Sequence, residues 1–268
     1  MNAARAIICL ALIYCACSKP RVAPAAAAAP PMRSPQNEWA VVPSAARPVT
    51  WSTAVAGPKR SDLDQALAKP LEYPWHMFDR KTNERHEART CGDLLALHES
   101  CYPMDVPGDG GAPTELFEND WSIYADYVVA CRITVAIQNA KPARVDYLGA
   151  FPLDNARLRE IPAGVIPTPS DEEEKQLKAA SAKGVSWKAW DRHIHVTKTT
   201  GRGVTVESPD TYSFLSVYGR ADFNGDGIED LLLWRDGRGQ EGTWNSTAGF
   251  VLTRLSARGR VEILKVIE

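Results

Sequence analysis

The segment Asp222-Phe223-Asn224-Gly225-Asp226-Gly227-Ile228-Glu229-Asp230 crowds oxygen donors at alternating positions. Calcium is a hard cation that takes six to eight oxygens, and alternate side chains converge on it when glycines let the backbone curl. In this run Asp222, Asn224, Asp226 and Asp230 are expected to supply side-chain oxygens and Ile228 its carbonyl, while Gly225 and Gly227 permit the turn. Carboxylates packed so closely repel one another unless a cation lies between them. The competing reading is a metal-free turn whose Asp and Asn side chains cap their own backbone.

The run matches an EF-hand loop through its sixth position. The twelfth position, however, is Leu233 instead of a bidentate glutamate, and the segment runs on into the strand-like Asp230-Leu231-Leu232-Leu233. Ala221 to Gly227 followed by Asp230 to Leu233 instead resembles the calcium loop of FG-GAP or VCBS repeats, in which the ion is held between two β-strands. Without the bidentate glutamate and paired helices there is no sensor machinery, so the expected role is a structural Ca2+ of weak, extracellular-type affinity. The resemblance covers one loop and its flanking strands, so it does not extend to a propeller, which needs several blades.

The N-terminus carries export signals. Arg5 precedes an apolar run, Ala6 to Ala16, too short to span a bilayer, and residues 1–17 read as a lipoprotein-type signal peptide. Tyr14-Cys15-Ala16-Cys17 resembles a bacterial lipobox in which the small Ala16 precedes the acylated Cys17; Tyr14 stands where that pattern usually has Leu. The alternative is an ordinary secretory signal. Ser18 after Cys17 resembles an outer-membrane sorting signal, so the expected location is the bacterial envelope, anchored to the outer membrane and facing periplasm or exterior. The lipobox, a cysteine-containing helical part, Gly184-Val185-Ser186-Trp187 and the acidic loop, in that order, resemble a group of bacterial envelope lipoproteins, a likeness that implies a compartment and no activity.

Residues 18–60, rich in Ala and Pro, read as an extended tether in which Trp39 and Trp51 could still dock on the body. Residues 61–153 read as a mainly helical, disulfide-containing region, with capping-box spacing at Ser61/Asp64 and Thr90/Asp93 and a longer helix over Trp121 to Asn139 that places Tyr124, Val128, Cys131 and Val135 on one stripe. In an oxidising compartment Cys91, Cys101 and Cys131 are candidates for pairing. A helix over Gly92 to Ser100 would hold Cys91 and Cys101 about 15 Å apart at ~1.5 Å per residue, too far to bridge. Cys91–Cys131 is therefore preferred, and Cys101–Cys131 is the runner-up.

Residues 154–268 read as an α+β region. A capped helix over Asp171 to Lys183 is followed by strands near 193–197, 204–207, 212–218, 228–234, 250–255 and 261–267 in an antiparallel meander, with Gly-rich turns at Asp236 to Gly239 and Ala257 to Gly259 and one face toward the helices. The expected fold class is α+β, a helical N-terminal part packed on this meander, and residues 61–268 could form one domain.

With 268 residues, 44% hydrophobic and 24% charged, the chain can bury a real core, and a net charge of −2 lacks the basic footprint that nucleic acid requires. It contains no G-x-S-x-G, H-E-x-x-H, phosphate-binding loop or dinucleotide fingerprint. The reading is a non-enzymatic envelope lipoprotein with a membrane anchor, an envelope protein or glycan as partner class, and one structural Ca2+. An unrecognised periplasmic hydrolase and a carbohydrate-binding module, the latter suggested by Trp187, Trp190, Trp234 and Trp244, are the alternatives. Asp191, His193 and His195 offer a metal half-site or a solvated polar face.

Overall fold

In the computed structural model the described residues are 46–79, 81–103, 105–106, 114–115 and 120–268. The leader, Cys17 and most of the tether lie outside them. The chain opens with a short strand β1 (Thr50–Trp51) and helix α1 (Arg60–Ala68), then strands β2 (Pro70–Asp79) and β3 (Glu84–Thr90). Helix α2 (Cys91–His98), strand β4 (Cys101–Pro103) and the short pair β5 (Asp105–Val106) and β6 (Thr114–Glu115) lead to the long helix α3 (Asp120–Asn139). Two 3₁₀ turns, α4 (Asp171–Ala182) and α5 (Trp187–Trp190) precede strands β7 (His195–Thr200), β8 (Gly203–Glu207), β9 (Thr211–Ala221), β10 (Asp230–Gly239), β11 (Asn245–Thr253) and β12 (Glu262–Ile267).

The architecture is α+β, and β7 to β12 form the expected antiparallel meander. Strand β9 pairs with β8 over residues 212–215 and with β1 over residues 219–220, so β1 prolongs the edge where β8 stops. Residues 46–59, read above as tether, therefore belong to the body. Val49, Trp51 and Val55 pack against its core, and Trp51 Nε1 donates to the Gly57 carbonyl at 2.8 Å.

Both faces of the large sheet are covered, where one had been expected. Leu231 and Leu233 meet Phe151, Leu158, Ile161 and Trp187 from the connecting segment, while Leu232 points the other way and meets Val129, Ile133 and Ile137 of α3. Because side chains alternate along a strand, the run Leu231-Leu232-Leu233 makes sense only for a strand buried on both sides. Helix α3 likewise has two working faces. Tyr124, Val128 and Cys131 pack into a second core with Trp75, Met77 and Leu94, whereas the expected stripe member Val135 is only half-buried.

That second core is roofed by a three-stranded sheet, β3-β2-β4, in the region expected to be mainly helical. Its signal was present: Leu71, Tyr73, Trp75 and Met77 alternate with Glu72, Pro74, His76 and Phe78. The pairing strand, Glu84 to Thr90, is almost entirely polar and left no such trace. Helix α2 carries the expected Thr90/Asp93 capping box, with Asp93 N–H donating to Thr90 Oγ1 at 3.1 Å and Thr90 N–H to the Asp93 carboxylate at 2.9 Å. For α1 the box sits two residues earlier than expected, since Asp62, and not Asp64, accepts from the Lys59 N–H at 2.8 Å. Asp236 to Gly239 lie inside β10 and Asn245 to Thr247 inside β11, so the turn falls between them, at residues 240–244. Cys91 and Cys131 form a disulfide with their Cα atoms 5.4 Å apart, tying α2 to α3, and Cys101 is free and buried.

Candidate functional site: the acidic loop between β9 and β10

The Asp222–Asp230 loop joins two central strands, which fixes both of its ends. It is also strapped from outside by Lys141 to Val145. Lys141 and Asp222 exchange backbone bonds at 2.9 Å each way, and Arg144 and Val145 both donate to the Gly227 carbonyl, at 2.8 and 3.1 Å. Glu229 N–H then donates to the Val145 carbonyl at 2.7 Å. The strap takes the carbonyl of Gly227 and leaves that of Ile228 outside its bonding. Gly225 and Gly227 have φ of 88° and 85°, a left-handed conformation that a side chain resists.

Asp222 organises the turn. Its Oδ1 accepts from the N–H groups of Asn224 (3.2 Å) and Gly225 (2.5 Å), and its Oδ2 from Gly227 (2.8 Å). Asp226 Oδ1 accepts from Ile228 N–H at 2.7 Å, and its Oδ2 from the Asn224 amide at 2.9 Å. These are the local caps of the metal-free reading, and they occupy both lone pairs of Asp222 Oδ1, but Asp222 Oδ2 and the two Asp226 oxygens accept one bond each and keep a lone pair for another donor or a cation.

Asp230 is different. It is fully buried; one oxygen accepts from Phe223 N–H at 3.0 Å, and the other, Oδ1, has no hydrogen-bond partner. Burial, with the charges of Asp226 and Asp222 adding to it, pushes its pKa up to about 6 against the opposing pull of the Phe223 N–H and of the nearby Thr253 hydroxyl, which favours the charge without completing a hydrogen bond to Oδ1. A buried carboxylate oxygen without a partner costs about 1–3 kcal/mol or more. A cation would relieve that cost, so the donor set of Asp222, Asn224, Asp226 and Asp230 fits an oxygen-seeking ion chemically. The fit is not a preformed cage: among the described residues, the His, Cys, Asp or Glu groups gathered within 4.8 Å of one another are elsewhere, at Asp79, His86 and Cys101.

Sequence reasoning missed the charges that flank the loop. Glu229 and Asp146, both nearly buried, are clamped by Arg220 and Arg47: Arg220 Nε lies 2.8 Å from Glu229, and Arg47 lies 2.7 Å from Asp146 and 3.6 Å from Glu229. Lys141 Nζ stands 3.5 Å from where a Cβ on Gly225 would sit. No local motif links these residues, because four chain segments bring them together.

The other sequence candidates do not assemble. Asp191 accepts from the His193 backbone at 2.8 Å, and His195 Nδ1 contacts the His193 carbonyl at 2.9 Å, so the supposed half-site bonds to itself on the surface. Trp187 is buried in the core and Trp234 stacks on Tyr218 with ring centroids 5.2 Å apart, so the four tryptophans form no single platform; Trp190, 39% exposed, and Trp244 do line one cavity together. A cavity of about 620 Å³ lies between α4 and strands β10 to β12. Of the three glutamates at its wall, Glu174 is paired with Lys178 at 2.5 Å and Glu262 with Arg260 at 2.7 Å, and Glu268 is the third. His98, three residues before Cys101, shares a 2.8 Å bond with the Tyr124 hydroxyl, and burial lowers its pKa. None of the helices among the described residues is long and apolar enough to cross a membrane.

No protein-family model, no curated protein and no solved structure matches the chain.

Proposed function

We propose that the Asp222–Asp230 loop holds a structural Ca2+ and that the chain is a non-enzymatic envelope lipoprotein anchored through Cys17. The observation that carries the calcium reading is the buried, unpartnered Oδ1 of Asp230 beside a loop of further oxygen donors. In this reading Asp222, Asn224, Asp226 and Asp230 supply side-chain oxygens and Ile228 its carbonyl. When bound, the ion would tie the β9–β10 connection together and neutralise the carboxylates. The likeness to FG-GAP or VCBS loops supports the same assignment, and the lipobox-like Tyr14 to Cys17 supports the anchor.

Thermal unfolding of the full-length protein in EDTA, in calcium and in magnesium tests the ion. At a calcium concentration about a hundred times a Kd of ~10⁻⁴ M, linkage stabilises the folded state by ~2.7 kcal/mol, a rise of several degrees in Tm. Asp222→Ala and Asp230→Asn should abolish the rise, and magnesium should not reproduce it. An unchanged melting curve in calcium would instead leave a metal-free acidic turn, its charge offset by Lys141. Metabolic incorporation of radiolabelled fatty acid, lost in Cys17→Ser, tests the anchor independently.

A further inference from the structure

A second cluster of ligating side chains lies far along the chain from the acidic loop, on one face of the three-stranded sheet. Asp79 on β2 is directly opposite Cys101 on β4 and opposite Glu84 on β3, while His86 is opposite Met77, two residues before Asp79. Residues paired across a ladder point to the same side, as do residues two apart along a strand. The register therefore puts Asp79, Glu84, His86 and Cys101 on one face. The ligand atoms of Asp79, His86 and Cys101 all lie within 4.8 Å of one another.

We propose that Asp79, His86 and Cys101 form a binding site for a zinc-type divalent transition cation, with a fourth position open toward Glu84 and solvent. The donor types select the metal: a thiolate and an imidazole suit Zn2+ and disfavour Ca2+ and Mg2+, and three protein ligands in a tetrahedral set leave one position free. Charge also balances, since one thiolate and one carboxylate neutralise a dication. The Asp79 carboxylate is already oriented, because its Oδ1 accepts from the N–H groups of Lys81 (2.7 Å) and Thr82 (3.3 Å) in the β2–β3 hairpin. Such bonds behind a ligand strengthen metal sites by holding it in position. His86 Nε2 lies 3.9 Å from Glu84, whose side chain is 66% exposed, and this exposed side is the route by which an ion would enter. Cys101, 8% exposed, forms the closed side. A thiol so buried is placed to ligate an ion and not to attack an outside substrate.

Cobalt titration tests the site. The full-length chain carrying Cys9→Ser, Cys15→Ser and Cys17→Ser has Cys101 as its free thiol, and excess calcium occupies the acidic loop if that loop binds it. One equivalent of Co2+ should produce thiolate-to-cobalt charge-transfer absorption that Zn2+ abolishes, and Zn2+ should slow alkylation of Cys101 by iodoacetamide ~10-fold or more. His86→Gln and Asp79→Asn, with circular dichroism unchanged, should each weaken cobalt binding by ~10-fold or more. The site is refuted if no charge-transfer band forms, or if the band survives both substitutions undiminished, which would mark a lone thiol adduct. Because calcium is present throughout, failure here leaves the acidic-loop reading standing, and failure of that loop leaves this site standing.

Discussion

Asp230 concentrates the electrostatics of the acidic loop in a single side chain. Its carboxyl is raised from 3.8 to about 6, so in the metal-free protein it favours folding when protonated. That contribution is complete below about pH 3.8 and is lost as pH rises through about 6, a swing on the order of 2–3 kcal/mol. Because pH 5 already lies above the unfolded value of 3.8, urea unfolding in EDTA at pH 5 and pH 7.5 should show about half of this destabilisation, roughly 1–1.5 kcal/mol, at the higher pH, superimposed on the rest of the titration and removed in Asp230→Asn. In saturating calcium the order reverses, because the ion competes with the proton, so the calcium-induced gain in Tm grows from pH 5 to pH 7.5. At neutral pH without calcium, Asp230→Asn should be more stable than the parent by about 1–3 kcal/mol, since an uncharged amide replaces a buried unpaired charge. A destabilised Asp230→Asn would mean that the carboxylate is already satisfied in the apo protein.

At the scale of elements, α3 is shared by two of the three cores among the described residues, the one under the small sheet and the one on the α3 face of the large sheet. The Cys91–Cys131 bridge staples α2 to its middle across 40 residues of chain. Replacing both cysteines by alanine should cost about 2–4 kcal/mol, measured by chemical unfolding. On the other side, α3 reaches the sheet over a glycine: a Cβ on Gly249 would lie 2.9 Å from Ile133 Cδ1 and 3.2 Å from Ile267 Cβ. Gly249→Val should push the helix off β11 at a cost of about 1–3 kcal/mol. Adding Ile133→Ala should recover part of that loss, and a strictly additive double variant would show that the two do not meet.

Seen whole, the described residues from 46 to 268 belong to one compact unit, and the stretch around β1 is part of it. Arg47 exchanges backbone bonds with Ala143 at 2.7 and 3.1 Å and pairs with Asp146, while Val49, Trp51 and Val55 cover Leu63 and the α3 face of the sheet. A chain starting at Ser61 should therefore melt several degrees below one starting at Ala46 and respond less to calcium, because Arg47 buttresses the strap beside the acidic loop. Equal melting temperatures and calcium responses would place residues 46–60 back in the tether.

The readable parts were those governed by short-range rules. The Thr90/Asp93 box, the capped helix after Ser170, the length of α3 and the meander all follow from capping, periodicity and turn residues within a few positions, and the cysteine geometry was enough to favour Cys91–Cys131. The Asp-Asn-Asp alternation with its two glycines could be read as a loop because the pattern is contiguous. What lay beyond local reach depended on partners distant in sequence. The polar strand Glu84 to Thr90 is a strand because β2 offers it a ladder, and Leu231 to Leu233 reveal a doubly covered sheet only once α3 and the segment around Phe151 are in place. Residues 46–59 are body and not tether because the edge of β9 is free there to accept β1. The lysine and arginines around the acidic loop, and the meeting of Asp79, His86 and Cys101, arise from register between strands, which composition and spacing along one chain do not encode. Donor chemistry was thus a property of the sequence, whereas burial, and with it the unpartnered oxygen of Asp230, was decided by the tertiary structure.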